Sequence, residues 1–478
     1  MGFETVSLTL TAPDPPPTAP DRSTAMPISR RTALALGSAL PLAAPALVRG
    51  QGATVELTGQ YSIPVLFRDL LEDIGRAFMR ENPNIRITWR APEESYETIL
   101  QRHLRDAITN TLPDIAFHGL NRQRTLAERN IPVDLSPFMA ADPETPSLGL
   151  SPAMLSLGQV EGRQVGLGFA MSTPILYYNM DLVRASGWKP AAPAVPAADP
   201  GGAINDGVRA VLQAQTELPT TWDDVIGLAR AIHELGQNRN GLFYTWMITG
   251  NWAWMALVFS HGGTMLSADE TRVAFGDEPG RRSIRLLRRM VDEGRMPDLR
   301  PDTAFADTFA GRLGIHMQST AQLGRFNREI GGRFLLACGR FPLSSPAARL
   351  PSGGAAAMMF TKDPAKQQAA WKFIKFACGP VGATMMVRAT GYVPGTTVPA
   401  EREDMLAGFY RENPNHLIAI RQQPQMTGWY AFPGANALRI TDVVNDHLQS
   451  VVARRADPDA ALDRMVADVQ RLLPRSRG

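Results

Sequence analysis

The chain of 478 residues has only two cysteines, Cys338 and Cys378, too few for a disulfide framework and without metal-ligand spacing. They read as two unrelated buried thiols, although an exported protein could pair them. Marks of catalysis are missing too. No Walker loop, G-x-S-x-G elbow, H-E-x-x-H helix or EF-hand loop occurs. The seven histidines, at 103, 118, 233, 261, 316, 416 and 447, are scattered without ligand spacing. Glycine pairs such as Gly262-Gly263 and Gly353-Gly354 lack the strand–G-x-G-x-x-G–helix setting of a dinucleotide site. Charge of one sign is absent as well: 49 basic and 46 acidic residues nearly cancel, and the densest basic cluster, Gly280–Met290, has the spacing of a solvated helix face. Nucleic acid is therefore not an expected partner, and no cofactor or metal is called for. Beyond the N-terminal region no apolar run reaches membrane-spanning length. Together these absences favour a binding protein over an enzyme.

What is present begins at the N-terminus. Arg30-Arg31 precede an Ala- and Leu-rich apolar stretch from Thr32 to Val48, which reads as a twin-arginine signal peptide. Met26 suits the start of such a signal, and the Pro-rich residues before it read as a disordered extension or as the product of a misassigned start codon. Export to the periplasm is the expectation, with residues 1–52 removed from fold reasoning. The remaining length exceeds what one core sustains, so two lobes are expected. A strand in "ATVELTGQYS", an amphipathic helix over 64–81, a strand in "IRITWR", a helix in "SYETILQRHLRDAI" and a strand in "DIAF" alternate as in an α/β lobe with a largely parallel sheet. Thr221 with Asp224 caps a helix, Asp363-Pro364 opens another, and the tail from Ile440 to Leu473 is helical. The Pro/Ala-rich stretch 188–219 reads as a surface insertion.

Polar and aromatic residues beside glycines gather at expected strand ends. Trp252 stands in "TWMITGNWAWM", Ser319 in "HMQSTAQLG", Gly354 in "LPSGGAAAM", Tyr392 in "ATGYVPGT" and Arg439 in "GANALRI". Aromatic faces cover the C–H side of a sugar or glycerol, hydroxyls and amides take its oxygens, and an Arg forks onto an anionic oxygen. Each alone has a plainer structural reading: a core Trp, a glycine turn, a surface Arg.

The segments "STPILYYN" (172–179), "TWDDVIGLA" (221–229), "TGYVPGT" (390–396), "GFYRENPN" (408–415) and "ANALRI" (435–440) carry a resemblance. The chain resembles the family 1 extracellular solute-binding proteins of ABC importers, and within them the branch that binds sn-glycerol-3-phosphate. That resemblance implies a two-lobed α/β fold of the periplasmic-binding-protein type (type II), a mixed sheet in each lobe, and hinge strands between them. It implies a monomer that hands a small solute to a membrane permease and its ATPase. It assigns Tyr96, Ser172, Trp252, Ser319, Gly354, Tyr392 and Arg439 to the ligand, with Arg439 as the cation for phosphate. It places 53–172 and 312–358 in the first lobe and 173–311 and 359–478 in the second, with the chain crossing at "STPILYYN". Two departures stand out. The branch's acidic residue after the "PDI" strand falls at Leu120, with Asn121 the nearest polar group, and the 188–219 insertion, a possible rim of the cleft, has no counterpart. A neutral sugar or oligosaccharide is the alternative ligand; a secreted carbohydrate- or phosphodiester-acting enzyme is the third reading.

Overall fold

Pro64 opens the first helix, Pro64–Glu81, which buries Phe67, Leu70, Leu71, Ile74 and Phe78 on one face. It ends at Asn82, because Pro83 keeps that residue out of the helical region. This helix joins strand β1 (Val55–Gln60) to β2 (Ile85–Trp89), and a helix Tyr96–Thr109, capped reciprocally by Ser95 and Thr98, leads to β3 (Ile115–Gly119). The alternation yields parallel pairing of β1 with both β2 and β3. The computed structural model describes residues 54–196 and 204–474. The signal-peptide and start-site readings on residues 1–53 lie outside them.

The first sheet is completed by β4 (Leu167–Ser172) and, from far along the chain, a strand over Gly353–Met359. The chain leaves it at Thr173 and enters β5 (Pro174–Asn179) of a second sheet. That sheet adds β6 (Asn240–Tyr244), β7 (Leu313–Ser319) and β8 (Leu336–Arg340); with Gly353–Met359 as β9, the orders are β2-β1-β3-β9-β4 and β8-β5-β7-β6. Both sheets are mixed: β9 runs antiparallel to β3 and β4, and β5 antiparallel to β7 and β8.

These pairings correct the lobe boundaries expected from sequence. Residues 312–351 lie with the second lobe, because β7 and β8 flank β5 on either side. Return to the first lobe comes only at β9. The helices Pro364–Cys378 and Pro380–Ala389 then stay there, the former packed on β1, β4 and β9 and the latter on the first helix, rather than moving to the second lobe at residue 359. The chain goes back to the second lobe afterwards, where Ala437–Val452 and Pro458–Leu472 pack on the helix Glu278–Asp292. Apolar strands such as "LGIHMQS" satisfy either sheet locally; only the tertiary partner decides.

The crossing is held in place. Gln422 donates from Nε2 to Thr173 Oγ1 (3.0 Å) and to the Pro174 carbonyl (2.9 Å), while its Oε1 accepts from Phe341 N–H (2.7 Å). The segment "RENPN" at 411–415 ends the helix Ala407–Glu412, and its Asn415 side chain pairs with the edge of β8, accepting from Cys338 N–H and donating to Leu336 O. Cys338 and Cys378 are both buried free thiols, in different lobes.

In the insertion, Asp206–Thr216 forms a helix that packs on β8, with Gln215 bonded to Asn415. None of its described residues lines the interlobe cavity, so the expected rim is not formed.

The first lobe also buries a histidine pair. Gln60 Nε2 donates to Ala91 O, so its Oε1 accepts from His103 Nε2 (2.8 Å), and His103 Nδ1 then accepts from His118 Nε2 (2.8 Å). His103 must be neutral for this chain of bonds to exist, and burial disfavours charge on His118.

Candidate functional site

Between the lobes lies a cavity of about 230 Å³. Its wall brings together six of the seven residues expected from sequence: Tyr96, Ser172, Trp252, Ser319, Gly354 and Tyr392. Arg439 is the exception. It lies exposed on the helix Ala437–Val452 and does not line the cavity. The residues at the missing acid's place are also outside the wall: Leu120 faces a neighbouring cavity, and Asn121 is buried against Gly119 and Gly250.

Each wall residue is placed by its element. Ser172 ends β4 opposite Gly353, where a Cβ would come within 2.7 Å of Ser172 Oγ and 3.1 Å of the Trp252 ring, so glycine there lets the two approach. Trp252 opens the helix Trp252–Ser260 after Gly250 and Asn251, both left-handed. Asn251 is pinned by its Nδ2 to Thr441 O and Asn445 Oδ1 (both 2.9 Å), and Trp252 Nε1 donates to Pro351 O (3.1 Å). The Trp252 ring is thus oriented before any solute arrives. Trp246 and Trp254, by contrast, are core residues outside the wall. Tyr392 stacks on Phe67 with ring centroids 5.7 Å apart. Burial first, and the facing Tyr392 second, push the Tyr96 phenol well above its usual pKa. The wall tyrosines are therefore neutral donors.

Several wall residues escaped the sequence reading. Thr245, Thr249, Gln322 and Trp429 carry no local pattern that separates them from ordinary loop residues, although "TGWYAFPG" does set an aromatic beside glycine. His316 orients Thr245. Thr308 Oγ1 donates to Ala304 O, so it accepts from His316 Nδ1, and the other ring nitrogen accepts from the Thr245 hydroxyl (2.9 Å).

Among the described residues, no Asp, Glu, Lys or Arg lines the cavity. Its electrostatics come from backbone. Five helices begin at the wall: Pro64–Glu81 behind Ile63, Tyr96–Thr109, Trp252–Ser260, Pro301–Phe309, and Leu323–Ile330 through the turn Thr320–Gln322 capped by Ser319. Each helix start sets the positive end of its dipole at this wall, while several of the first-turn amides are already paired: Trp252 N–H with Thr249 O, Thr98 N–H with Ser95 Oγ and Ala321 N–H with Ser319 Oγ. Ile63 adopts φ 57°, a left-handed conformation unusual for a β-branched residue, where it caps the first of these helices.

The lobes are bridged at the cavity's rim. Glu97 of the first lobe bonds Arg122 beside it and Thr249 across the gap; burial pushes its carboxyl up, but Arg122 and these hydrogen bonds outweigh burial and hold it below the usual range. Arg124 forks onto Glu270 of the second lobe with two 2.6 Å contacts, and Tyr430 donates to the same carboxylate (2.9 Å). Glu270→Ala is expected to leave the fold intact and shift the population towards the open form. Solute affinity, read by titration calorimetry at low salt, should weaken about fivefold, or ~1 kcal/mol for a partly exposed pair. An unchanged affinity would show that the bridge contributes nothing to closure.

Two α/β lobes, linked by buried crossings, with a cavity free of charged side chains between them, are the architecture of a solute-binding protein. The chain belongs to the bacterial extracellular solute-binding proteins, whose family model matches residues 73–415. Among curated proteins it is similar to the sn-glycerol-3-phosphate-binding periplasmic protein UgpB of Pectobacterium atrosepticum, 25% identical over 327 residues, covering 66% of this chain and 67% of that one. UgpB of Escherichia coli O6:K15:H31 is 26% identical over 329 residues (66% and 68%). Among solved structures, UgpB from Mycobacterium tuberculosis in complex with glycerophosphocholine superposes with a TM-score of 0.72 at 16% identity, over 88% of this chain and 98% of that chain. The cyclic alpha-maltosyl-1,6-maltose binding protein from Arthrobacter globiformis gives a TM-score of 0.68 at 20% identity, over 88% and 99%.

Proposed function

We propose that this chain is the exported, non-catalytic substrate-binding component of an ABC importer, and that it captures a glycerol-3-phosphate-like or glycerophosphodiester solute for its permease. The carrying observation is the convergence of five helix starts on a cavity without a charged side chain. Such a wall favours an anion through the positive ends of its helix dipoles, while Ser172, Thr245 and Gln322 meet hydroxyls and the aromatic rings cover a glycerol backbone. A phosphodiester, with a single charge, suits this wall better than a phosphomonoester, which approaches two at neutral pH. The UgpB relatives support the same solute class. Because both lobes supply wall residues, the solute has greater affinity for the closed state, and that difference drives closure. Periplasmic delivery by the twin-arginine route follows from the Arg30-Arg31 signal.

Titration of the purified mature chain with glycerol-3-phosphate and glycerophosphodiesters tests this reading; absence of binding to all of them would overturn it. A neutral sugar is the second reading, favoured by the aromatic wall and by the position of Arg439 outside it. Arg439→Ala is expected to change affinity for the anionic solutes less than about twofold, since backbone dipoles carry the charge recognition. A loss above tenfold would show that Arg439 joins the site on closure.

A further inference from the structure

Among the described residues no carboxylate lines the interlobe cavity, yet one acts on it through a wall hydroxyl. Thr249 Oγ1 donates to Glu97 Oε2 across the gap between the lobes. Burial opposes the Glu97 charge, but Arg122 and the hydrogen bonds outweigh it and keep the group ionised. A carboxylate only accepts. The single Thr249 proton is therefore committed to Glu97, and its oxygen offers the cavity lone pairs alone. Thr245, in the same loop between β6 and the helix Trp252–Ser260, reaches this state by another route. Thr308 gives its own proton to Ala304 O and fixes His316 with its proton on Nδ1, so the bare Nε2 takes the Thr245 proton at 2.9 Å.

We infer that Thr245 and Thr249 form an acceptor-only pair that receives two hydroxyl protons of the solute, with His316 and Glu97 as the positioning residues that set its polarity. The inference rests on the glycerol-phosphate reading of the cavity. It adds where the glycerol diol is recognised and in which sense its hydrogen bonds run.

Other wall groups have the opposite polarity. Ser319 Oγ accepts from Ala321 N–H (3.2 Å) and keeps its proton to give, and the neutral phenols of Tyr96 and Tyr392 also donate. Phosphate oxygens at the two threonines would set lone pair against lone pair. The anion is turned instead to Ser319 and the tyrosines, and the hydroxyl-bearing carbons to Thr245 and Thr249. A fluorine or an ether at either diol position is refused for the same reason.

The pair also links the solute to the bridge between the lobes. A solute hydroxyl donating to Thr249, which donates in turn to Glu97, makes a continuous run from the solute through the second lobe to a charge on the first. Each bond in such a run polarises the next. A solute without that hydroxyl loses one bond and leaves the interlobe bond weaker.

The test is calorimetric titration of the full mature chain with glycerol-3-phosphate or its ethyl diester, whichever binds tighter. Four analogues of that parent are compared, with the C1 or the C2 hydroxyl replaced by hydrogen or by fluorine. In the wild type each replacement should weaken binding at least about tenfold, because a buried acceptor is left unpaired. Fluorine, which accepts but cannot donate, should do no better than hydrogen. Thr245→Val and Thr249→Val should each weaken the parent about tenfold while leaving one deoxy analogue within about twofold, a coupling that a general loss of structure would not produce. Glu97→Gln can offer Thr249 an N–H and release its proton, so fluorine should then exceed hydrogen at that one position by at least about threefold. If fluorine already exceeds hydrogen in the wild type, the threonines donate and the assignment is wrong. If both deoxy penalties survive both valine substitutions, the diol is held elsewhere, and the glycerol-phosphate reading stands without it. If neither parent binds the wild type, that reading falls and the acceptor pair with it.

Discussion

Gly354→Ala is expected to abolish measurable solute binding and to lower stability by about 3 kcal/mol or more. Gly354 has φ 114°, a backbone conformation that side-chain-bearing residues rarely adopt. A Cβ there would sit 1.9 Å from the Ala170 carbonyl oxygen and 3.2 Å from Met171 Cα. Neither neighbour is a flexible side chain, so the clash is relieved only by moving backbone. Relief is expensive, because β9 lies between β3 and β4 with Ala355, Ala356 and Ala357 fully buried and a register shift already present at Ala355/Ala356. Any shift also displaces Gly353 from Ser172 and Trp252, two wall residues. Urea unfolding of the variant measures the stability loss, and calorimetry the binding. An unchanged urea midpoint would show that the strand accommodates the methyl group and that the left-handed geometry is not required.

The second large effect is loss of stability in mild acid. Burial drives His103 down to about 3 (Arg90 and Arg102 adding to it) and His416 to about 4. His316 is likewise depressed to about 3 by burial, then Arg325, and His118 well below its ordinary value by burial, then His103. A histidine whose folded pKa is depressed binds its proton only on unfolding, between its folded value and about 6.5. Its contribution is therefore complete above pH 6.5 and is lost as the pH falls towards 4 and 3. Each such group gives a slope approaching 1.4 kcal/mol per pH unit. Carboxylates held down by partners, such as Glu97 and Glu270, lose their contributions at lower pH, below the unfolded carboxylate range near 4.3. The interval from pH 6.5 to 5 thus isolates the histidines. Urea midpoints should fall steeply there, and His103→Gln should flatten the slope. A midpoint independent of pH over that interval would show that these rings are protonated in the native state.

Six of the residues that line the interlobe cavity were legible in the sequence as breaks in its pattern. Ser172, Trp252, Ser319 and Gly354 sit at strand ends or helix starts, and Tyr392 in the loop after the helix Pro380–Ala389, where breaks in apolar periodicity are visible in one dimension. Arg439 follows the same local pattern, yet the helix Ala437–Val452 turns it to solvent. Thr245 and Trp429 join the wall only because distant segments fold beside it: Thr245 is set by His316, 71 residues away, and Trp429 is placed against Gly250, 179 residues away.

What the sequence determined by itself is the local grammar. Asn82-Pro83 stops a helix, Ser95 and Asp363 start others, and alternating apolar residues make strands. These outcomes depend on neighbours within one or two turns, so they are written in the order of residues. Tertiary structure decided which sheet each strand joins, putting β7 and β8 in the second lobe and the helices after β9 in the first. It also decided that five helices begin at one point in space. Strand pairing and dipole convergence are properties of relative position, and no stretch of the chain encodes relative position alone.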